Sequence, residues 1–158
     1  MSIQVGDAVP EGIFTVMGAE GPSQLSSAEL FAGKKVVLFA VPGAFTPTCS
    51  AAHLPGFVVQ YDEIIGRGVD TVACLSVNDV FVMDAWGKSA NAQNIQMLAD
   101  GNGTYTSALG LQVDASGFGM GVRSKRFAMI VNDGVVELLN VDEGKFESSS
   151  AEAVLAAL

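Results

Sequence analysis

Val36-Val37-Leu38-Phe39-Ala40-Val41 is a short apolar run, preceded by Lys34-Lys35 and ended by Pro42-Gly43. A β-rich run of that length without polar alternation predicts a fully buried strand. Proline cannot donate to a ladder and glycine punctuates the chain, so the strand stops there. A second such run, Val69 to Val77, predicts another buried strand carrying Cys74. Between them Ala52, Phe57, Val58, Tyr61, Ile64 and Ile65 recur at helical spacing, predicting a helix from Pro47 to about Gly66. Pro55-Gly56 interrupts it, and the lost backbone bond predicts a kink. Gly66 and Gly68 close it.

The remaining segments fit around this strand–helix–strand unit. A strand is expected at Ile13–Val16 and a helical turn at Ser27–Phe31. Asn78-Asp79 leads into an amphipathic helix at Val80–Trp86. A short strand at Gln96–Ala99 and a helical turn at Thr104–Leu109 follow. Phe127–Val131 and Val135–Val141, joined by Asn132-Asp133-Gly134, predict a hairpin, and Ser149 to Leu158 a last helix. The pattern is α/β: a central mixed β-sheet flanked by helices, in one domain spanning residues 1–158, with no repeat and no linker.

Hydrophobic residues make up 49% of the chain, which argues against disorder. Eight basic residues against 17 acidic give a net charge of −9, and neither nucleic acid nor an anionic membrane surface is an expected partner of so acidic a chain. No apolar stretch approaches the roughly 18 residues of a membrane span. The first residues lack the basic start and apolar centre of a signal peptide. Two cysteines in an otherwise unstapled chain fit a reducing compartment. The expected location is cytoplasmic, or an organelle where a targeting segment has been removed.

The loop Pro42 to Cys49 carries the chemistry. Thr46-Pro47 reads as an N-cap followed by proline at the first helical position, which places Cys49 in the first turn. Free N–H groups and the helix dipole there favour a thiolate. Lowering a thiol by ~2 pH units requires about 2.7 kcal/mol. A helix start supplies roughly 0.3–1 kcal/mol, about 2 at best, so a cation is wanted as well. Arg123, Lys125 and Arg126 form the densest basic cluster, which is either a solvated strand end or the source of that cation.

Pro42-x3-Thr46-x2-Cys49 stands in the setting Val-Pro-Gly-Ala-Phe-Thr-Pro-Thr-Cys. With it come Val5-Gly6-Asp7, His53-Leu54-Pro55-Gly56-Phe57, Val72 to Asp79, and Ser124-Lys125-Arg126-Phe127, in that order. Together these stretches resemble the peroxiredoxins of the peroxiredoxin-5, or type II, subfamily over nearly the whole chain. The resemblance implies a thioredoxin-like fold with a peroxiredoxin N-terminal extension. It also implies a thiol peroxidase that reduces hydrogen peroxide and organic hydroperoxides through a Cys49 sulfenic acid.

In that reading Arg126, just before the Phe of its strand, is the catalytic arginine, with Arg123 as a second candidate or a supporting salt-bridge partner. Thr46 hydrogen-bonds peroxide or thiolate, and Pro42 shields the sulfur from water. Phe45 and Phe118 either line an apolar mouth or pack ordinarily, packing being the preferred reading of Phe118. Cys74 is either an inert core cysteine or, as in plant type II enzymes, a resolving cysteine. The C-terminal region, with Ser148-Ser149-Ser150, carries no cysteine like that of mammalian-type members. The implied mechanism is therefore 1-Cys, with an external reductant, glutathione with glutaredoxin or thioredoxin. A homodimer is implied, and no cofactor or metal.

The same residue types also serve other chemistries. Cys49 and His53 share a helix face, which suits a Cys–His hydrolase or a metal site. The hydrolase lacks an evident orienting group, and the metal lacks two further ligands. Gly117-Phe118-Gly119-Met120-Gly121 leads into a strand instead of out of one, so it is no nucleotide loop. A non-catalytic thioredoxin-fold binding or chaperone module is the second function class.

Overall fold

A computed structural model describes residues 2–158. The chain runs through β1 (Ile13–Gly18), β2 (Gly21–Ser26), α1 (Ser27–Phe31), β3 (Lys35–Ala40), α2 (Leu54–Gly66), β4 (Thr71–Ser76) and α3 (Val80–Ser89). Then come β5 (Gln96–Ala99), α4 (Thr104–Leu109), β6 (Gln112–Asp114), β7 (Val122–Ser124), β8 (Arg126–Asn132), β9 (Val135–Asp142) and α5 (Ala151–Ala157). Seven strands form one sheet in the order β2-β1-β5-β4-β3-β8-β9, while β6 and β7 form a separate small hairpin. The three central strands β5, β4 and β3 are parallel, and β1, β2, β8 and β9 are added antiparallel. The sheet is mixed, as the sequence pattern predicts.

Side-chain parity divides the core. Val37, Phe39, Cys74, Ala128 and Ile130 face α2, α3 and α5, packing with Leu54, Phe57, Ile64, Met83, Trp86 and Val154. Val36, Leu38, Ala73, Leu75, Phe127 and Met129 face the other way, onto Phe14, Phe31, Tyr105 and Leu109. Alternation along a strand requires this split, and burial of both halves explains why the runs show no polar alternation. Phe39 and Phe57 stack with centroids 4.0 Å apart, pinning α2 to β3 just below Cys49.

Helix starts follow their capping residues. Ser26 and Glu29 form a reciprocal capping box on α1, Asp79 accepts from Val82 N–H on α3, and Ser150 caps α5. The tight turn Asp133-Gly134 has positive φ at both residues, as a two-residue hairpin loop requires.

Three departures from the sequence reading have local causes. β2 was not expected, because Gly-Pro-Ser-Gln-Leu-Ser lacks a β pattern; it is an edge strand, where Pro22 is tolerated. β6 and β7 were also missed, being three residues each and largely exposed. The interruption expected at Pro55-Gly56 falls just before it. Helical backbone begins at Pro47, and Cys49–His53 is a π-helical turn in which the Leu54 N–H donates to the Cys49 carbonyl. The wide turn restarts the α-helix at Leu54, so Pro55 falls in its first turn, where no N–H is required.

Candidate active site

The loop after β3 is tied down from two sides. Asn78, just past β4, accepts from the Ala44 N–H at 3.0 Å and from the Ser76 hydroxyl at 2.6 Å. Arg123 donates from Nε to the Met120 carbonyl at 2.9 Å and from Nη1 to the Pro42 carbonyl at 3.4 Å. A Cβ on Gly43 would lie 2.9 Å from Arg123 Nη1, so a larger residue there would push the guanidinium tip aside. Arg123 therefore supports the loop through carbonyls, and the salt bridge expected of it is not found among the described residues.

Thr46 differs from its expected role as a side-chain cap. Its hydroxyl donates to the Gly43 carbonyl at 2.6 Å, while its own carbonyl accepts from the Ser50 N–H at 2.9 Å. With the proton committed to Gly43, the Thr46 oxygen faces further partners as an acceptor. Phe45 takes a left-handed backbone, φ 64°, which is unusual for an aromatic residue and holds its ring half in water beside Trp86.

Cys49 is fully buried, and its Sγ accepts from Arg126 Nη2 at 3.2 Å. Arg126 opens β8 with the parity of Ala128 and Ile130, so it points to the face that carries Cys49. Its other nitrogen, Nη1, lies 2.9 Å from His53 Nδ1. His53 Nε2 lies 3.0 Å from the Ser149 carbonyl, which can only accept. One tautomer satisfies both contacts: neutral imidazole with the proton on Nε2 and an acceptor at Nδ1. Burial, and then the adjacent guanidinium, push the His53 pKa down to about 3, so it is neutral near pH 7.

Arg126 is thus a nearly buried cation whose hydrogen-bonding partners are a neutral imidazole and a sulfur. The ion pairs among the described residues all lie at the surface, and none includes it. A buried charge outside any ion pair is costly, and Cys49 Sγ and His53 Nδ1 are the acceptors its two terminal nitrogens reach. His53, which the sequence offers for a hydrolase or a metal site, joins this group instead as a hydrogen-bonded helix residue. The signal available was its i, i+4 spacing from Cys49.

Cys74 lies on β4 in the same apolar cluster, fully buried and free. Burial, and then the nearby Cys49, push its thiol well above the ordinary value, so it stays protonated. A cavity of about 370 Å³ opens beside the site, lined by Pro42, Thr48, Val113, Arg126 and Phe146 among others. Phe45 and Phe118 do not line it. Phe118 is 86% exposed on a 3-10 turn between β6 and β7, so the packing expected of it does not occur, and the mouth's aromatic wall is Phe146. A larger cavity, about 550 Å³ between α2, α3 and β5, contains no cysteine or histidine and lies apart from this chemistry.

Comparison with known proteins identifies the family and the fold. The family model described as Redoxin matches residues 4–155. Peroxiredoxin-2B of Arabidopsis thaliana is 48% identical over 159 residues, covering 99% of this chain and 98% of that one. Chloroplastic peroxiredoxin-2E-2 of Oryza sativa subsp. japonica is 49% identical, covering 99% of this chain and 73% of its own length. The crystal structure of reduced Prx3 from Vibrio vulnificus in complex with hydrogen peroxide superposes with a TM-score of 0.95 at 54% identity, covering 98% of both chains.

Proposed function

The chain belongs to the redoxin family as a type II peroxiredoxin and is a thiol-dependent peroxidase; we propose that Cys49 is the sulfur that takes the peroxide oxygen and that Arg126, Thr46 and Pro42 form its pocket. The observation that carries this assignment is the 3.2 Å contact to Cys49 Sγ from a buried Arg126 that makes no ion pair among the described residues.

The Cys49 thiolate attacks the terminal oxygen of ROOH along the O–O axis. An S–O bond forms as the O–O bond breaks, sulfur loses two electrons, and the alkoxide leaves and takes up a proton as ROH. Thr46, its own proton held by Gly43, accepts the peroxide O–H and so turns the peroxide toward the sulfur. Arg126 is already at the sulfur, and its fork of N–H groups can meet charge developing on the peroxide oxygens. Pro42 walls the cavity and keeps water from the sulfenic acid.

The substrates are hydrogen peroxide and organic hydroperoxides, the latter favoured by the apolar Val113, Pro42 and Phe146 wall. Recycling uses two equivalents of an external thiol: the first condenses with the sulfenic acid and releases water, the second frees Cys49 and leaves as disulfide. Glutathione with glutaredoxin, or thioredoxin, fits that role. A protonated, fully buried Cys74 is a poor resolving thiol, which supports a 1-Cys cycle.

A homodimer is supported by the aromatic rings left in water at Phe45, Phe81 and Phe118. No described helix is long and apolar enough to cross a membrane, and a cytoplasmic site or an organelle both suit the chain. The deciding experiment is peroxide consumption with a thiol reductant by the wild type and Cys49→Ser. Turnover lost only in the variant supports the assignment, and no turnover in the wild type favours a binding or chaperone module.

A further inference from the structure

Arg126 on β8 and Asp142 on β9 are directly opposed partners in an antiparallel ladder. Such partners share a face, with Cβ atoms about 4.5–5.5 Å apart. Both are buried, Arg126 at 9% and Asp142 at 2% exposure. A guanidinium and a carboxylate so placed would ordinarily pair, yet no ion pair joins them among the described residues.

The carboxylate is turned instead onto the strap 143–149 that links β9 to α5. Asp142 Oδ1 accepts from the Ser148 N–H at 3.0 Å and its hydroxyl at 2.6 Å. Oδ2 accepts from the Glu147 N–H at 2.9 Å, the Ser149 N–H at 2.8 Å and the Ser149 hydroxyl at 2.7 Å. Five donors cover an acceptor-only group with about four lone-pair sites. Burial raises the Asp142 pKa, but these donors outweigh it and hold the carboxyl well below the usual range.

The same strap faces the catalytic pair from its other side. The Ser149 carbonyl receives the His53 Nε2–H, and the Phe146 ring lies 4.9 Å from the His53 ring and 5.7 Å from the Arg126 guanidinium carbon. The titratable and charged groups around Cys49 and Arg126 are thus His53 on the π-turn, Cys74 on β4 and Asp142 on β9. On the strap, Glu143 and Lys145 are paired outward, with Lys125 and Glu147 respectively. In Ser148-Ser149-Ser150 only the third hydroxyl serves as a helix cap.

We propose that Ser148 and Ser149 are positioning residues for Arg126: by saturating the Asp142 carboxylate they keep it from drawing the guanidinium away from Cys49. Without the two hydroxyls only the three N–H donors remain, so Asp142 regains a free lone-pair site on the face it shares with Arg126 and competes with the sulfur for the cation. The inference rests on the reading of Cys49 and Arg126 as the peroxidase pair.

The test is the double variant Ser148→Ala/Ser149→Ala, read by the pH dependence of the peroxide rate constant and by thiolate absorbance, which needs no turnover. The expected result is an acid limb displaced upward by about one pH unit, a roughly tenfold lower rate on that limb. Adding Asp142→Asn, whose amide cannot pair as an anion, should bring the limb back toward the wild-type position. A folded double variant that melts earlier with its limb unmoved overturns the proposal, since a loop tie alone would act so. A limb that Asp142→Asn displaces further overturns it too. If the double variant does not fold, half-buried Ser148→Ala alone is judged by the same limb. A wild type without peroxide turnover sinks the peroxidase assignment instead, and the absorbance still decides the positioning role.

Discussion

His53 offers Nδ1 to Arg126 Nη1 at 2.9 Å, a bond that exists only while the imidazole is neutral. Protonation of His53 would set two cations face to face in a buried site. The histidine one helical turn from Cys49 is therefore a neutral holder of the arginine, whose other terminal nitrogen reaches Cys49 Sγ at 3.2 Å.

That arrangement predicts how stability varies with pH. An unfolded histidine titrates near 6.5, and His53 in the fold near 3. Between those values the unfolded chain binds the extra proton, so the free energy of unfolding drops as pH drops. The contribution is complete above pH 6.5 and falls by up to about 1.4 kcal/mol per pH unit below it. Asp142 adds its own loss only below about pH 4, where unfolded carboxylates protonate. Urea midpoints between about pH 5.5 and 6.5, above the carboxylate range, therefore isolate the chain's single histidine, and His53→Gln should flatten the slope. An equal slope in wild type and variant would assign the loss elsewhere.

Arg126→Lys should be a poor replacement although the charge is kept. One ammonium cannot hold His53 Nδ1 and Cys49 Sγ with the two-pronged geometry that the guanidinium uses. Losing a charge-assisted bond of about 1.5–3 kcal/mol should lower the peroxide rate constant roughly tenfold to hundredfold. The loss should be larger below neutral pH than above it, which stopped-flow rates across pH would show. A pH-independent loss would mean that Arg126 acts on the peroxide alone.

Intact mass after one equivalent of peroxide decides the fate of the second sulfur. The wild type and Cys74→Ser should both gain one oxygen, on Cys49. A wild type that loses two hydrogens instead would have formed a Cys49–Cys74 disulfide and would overturn the external-reductant cycle.

The parts of the site set by parity and punctuation were legible in the sequence. The run Val36–Val41 ending at Pro42-Gly43 located the loop, and the basic cluster before Phe127 located the cation. Choosing Arg126 within that cluster needed either the family resemblance or the strand's phase, since only residues in step with Ala128 and Ile130 reach the Cys49 face. What stayed hidden depends on contacts between distant segments. His53 meets Ser149 only because α5 packs on α2, and Asp142 meets Ser148 and Ser149 only because the strap turns back. The π-turn was illegible for another reason: proline announces a broken ladder, while the wide turn that absorbs the break depends on what Cys49 and His53 touch. Phe118 misled because an apolar residue in a glycine-rich loop gives no sign of which way the loop projects.

Thr46 separates two ways in which a hydroxyl can serve a thiolate. A side chain that donated to the sulfur would favour the anion directly and would be replaced poorly by any acceptor. Here the proton goes to the Gly43 carbonyl at 2.6 Å, so the oxygen is left to accept from the incoming peroxide. Thr46→Val should then lower the peroxide rate constant roughly tenfold or more, by about the net worth of a hydrogen bond in a water-poor site. It should also cost about 1 kcal/mol of stability, the net worth of the hydroxyl's bond to the Gly43 carbonyl, which keeps only the longer one from the Thr46 N–H. The acid limb of the pH profile should stay where it is, in contrast to Arg126→Lys, because the charge balance at sulfur is untouched. Thr46→Ser, which keeps the hydroxyl, should restore most of the rate. A displaced acid limb in Thr46→Val would show that the hydroxyl had been bonded to the sulfur after all.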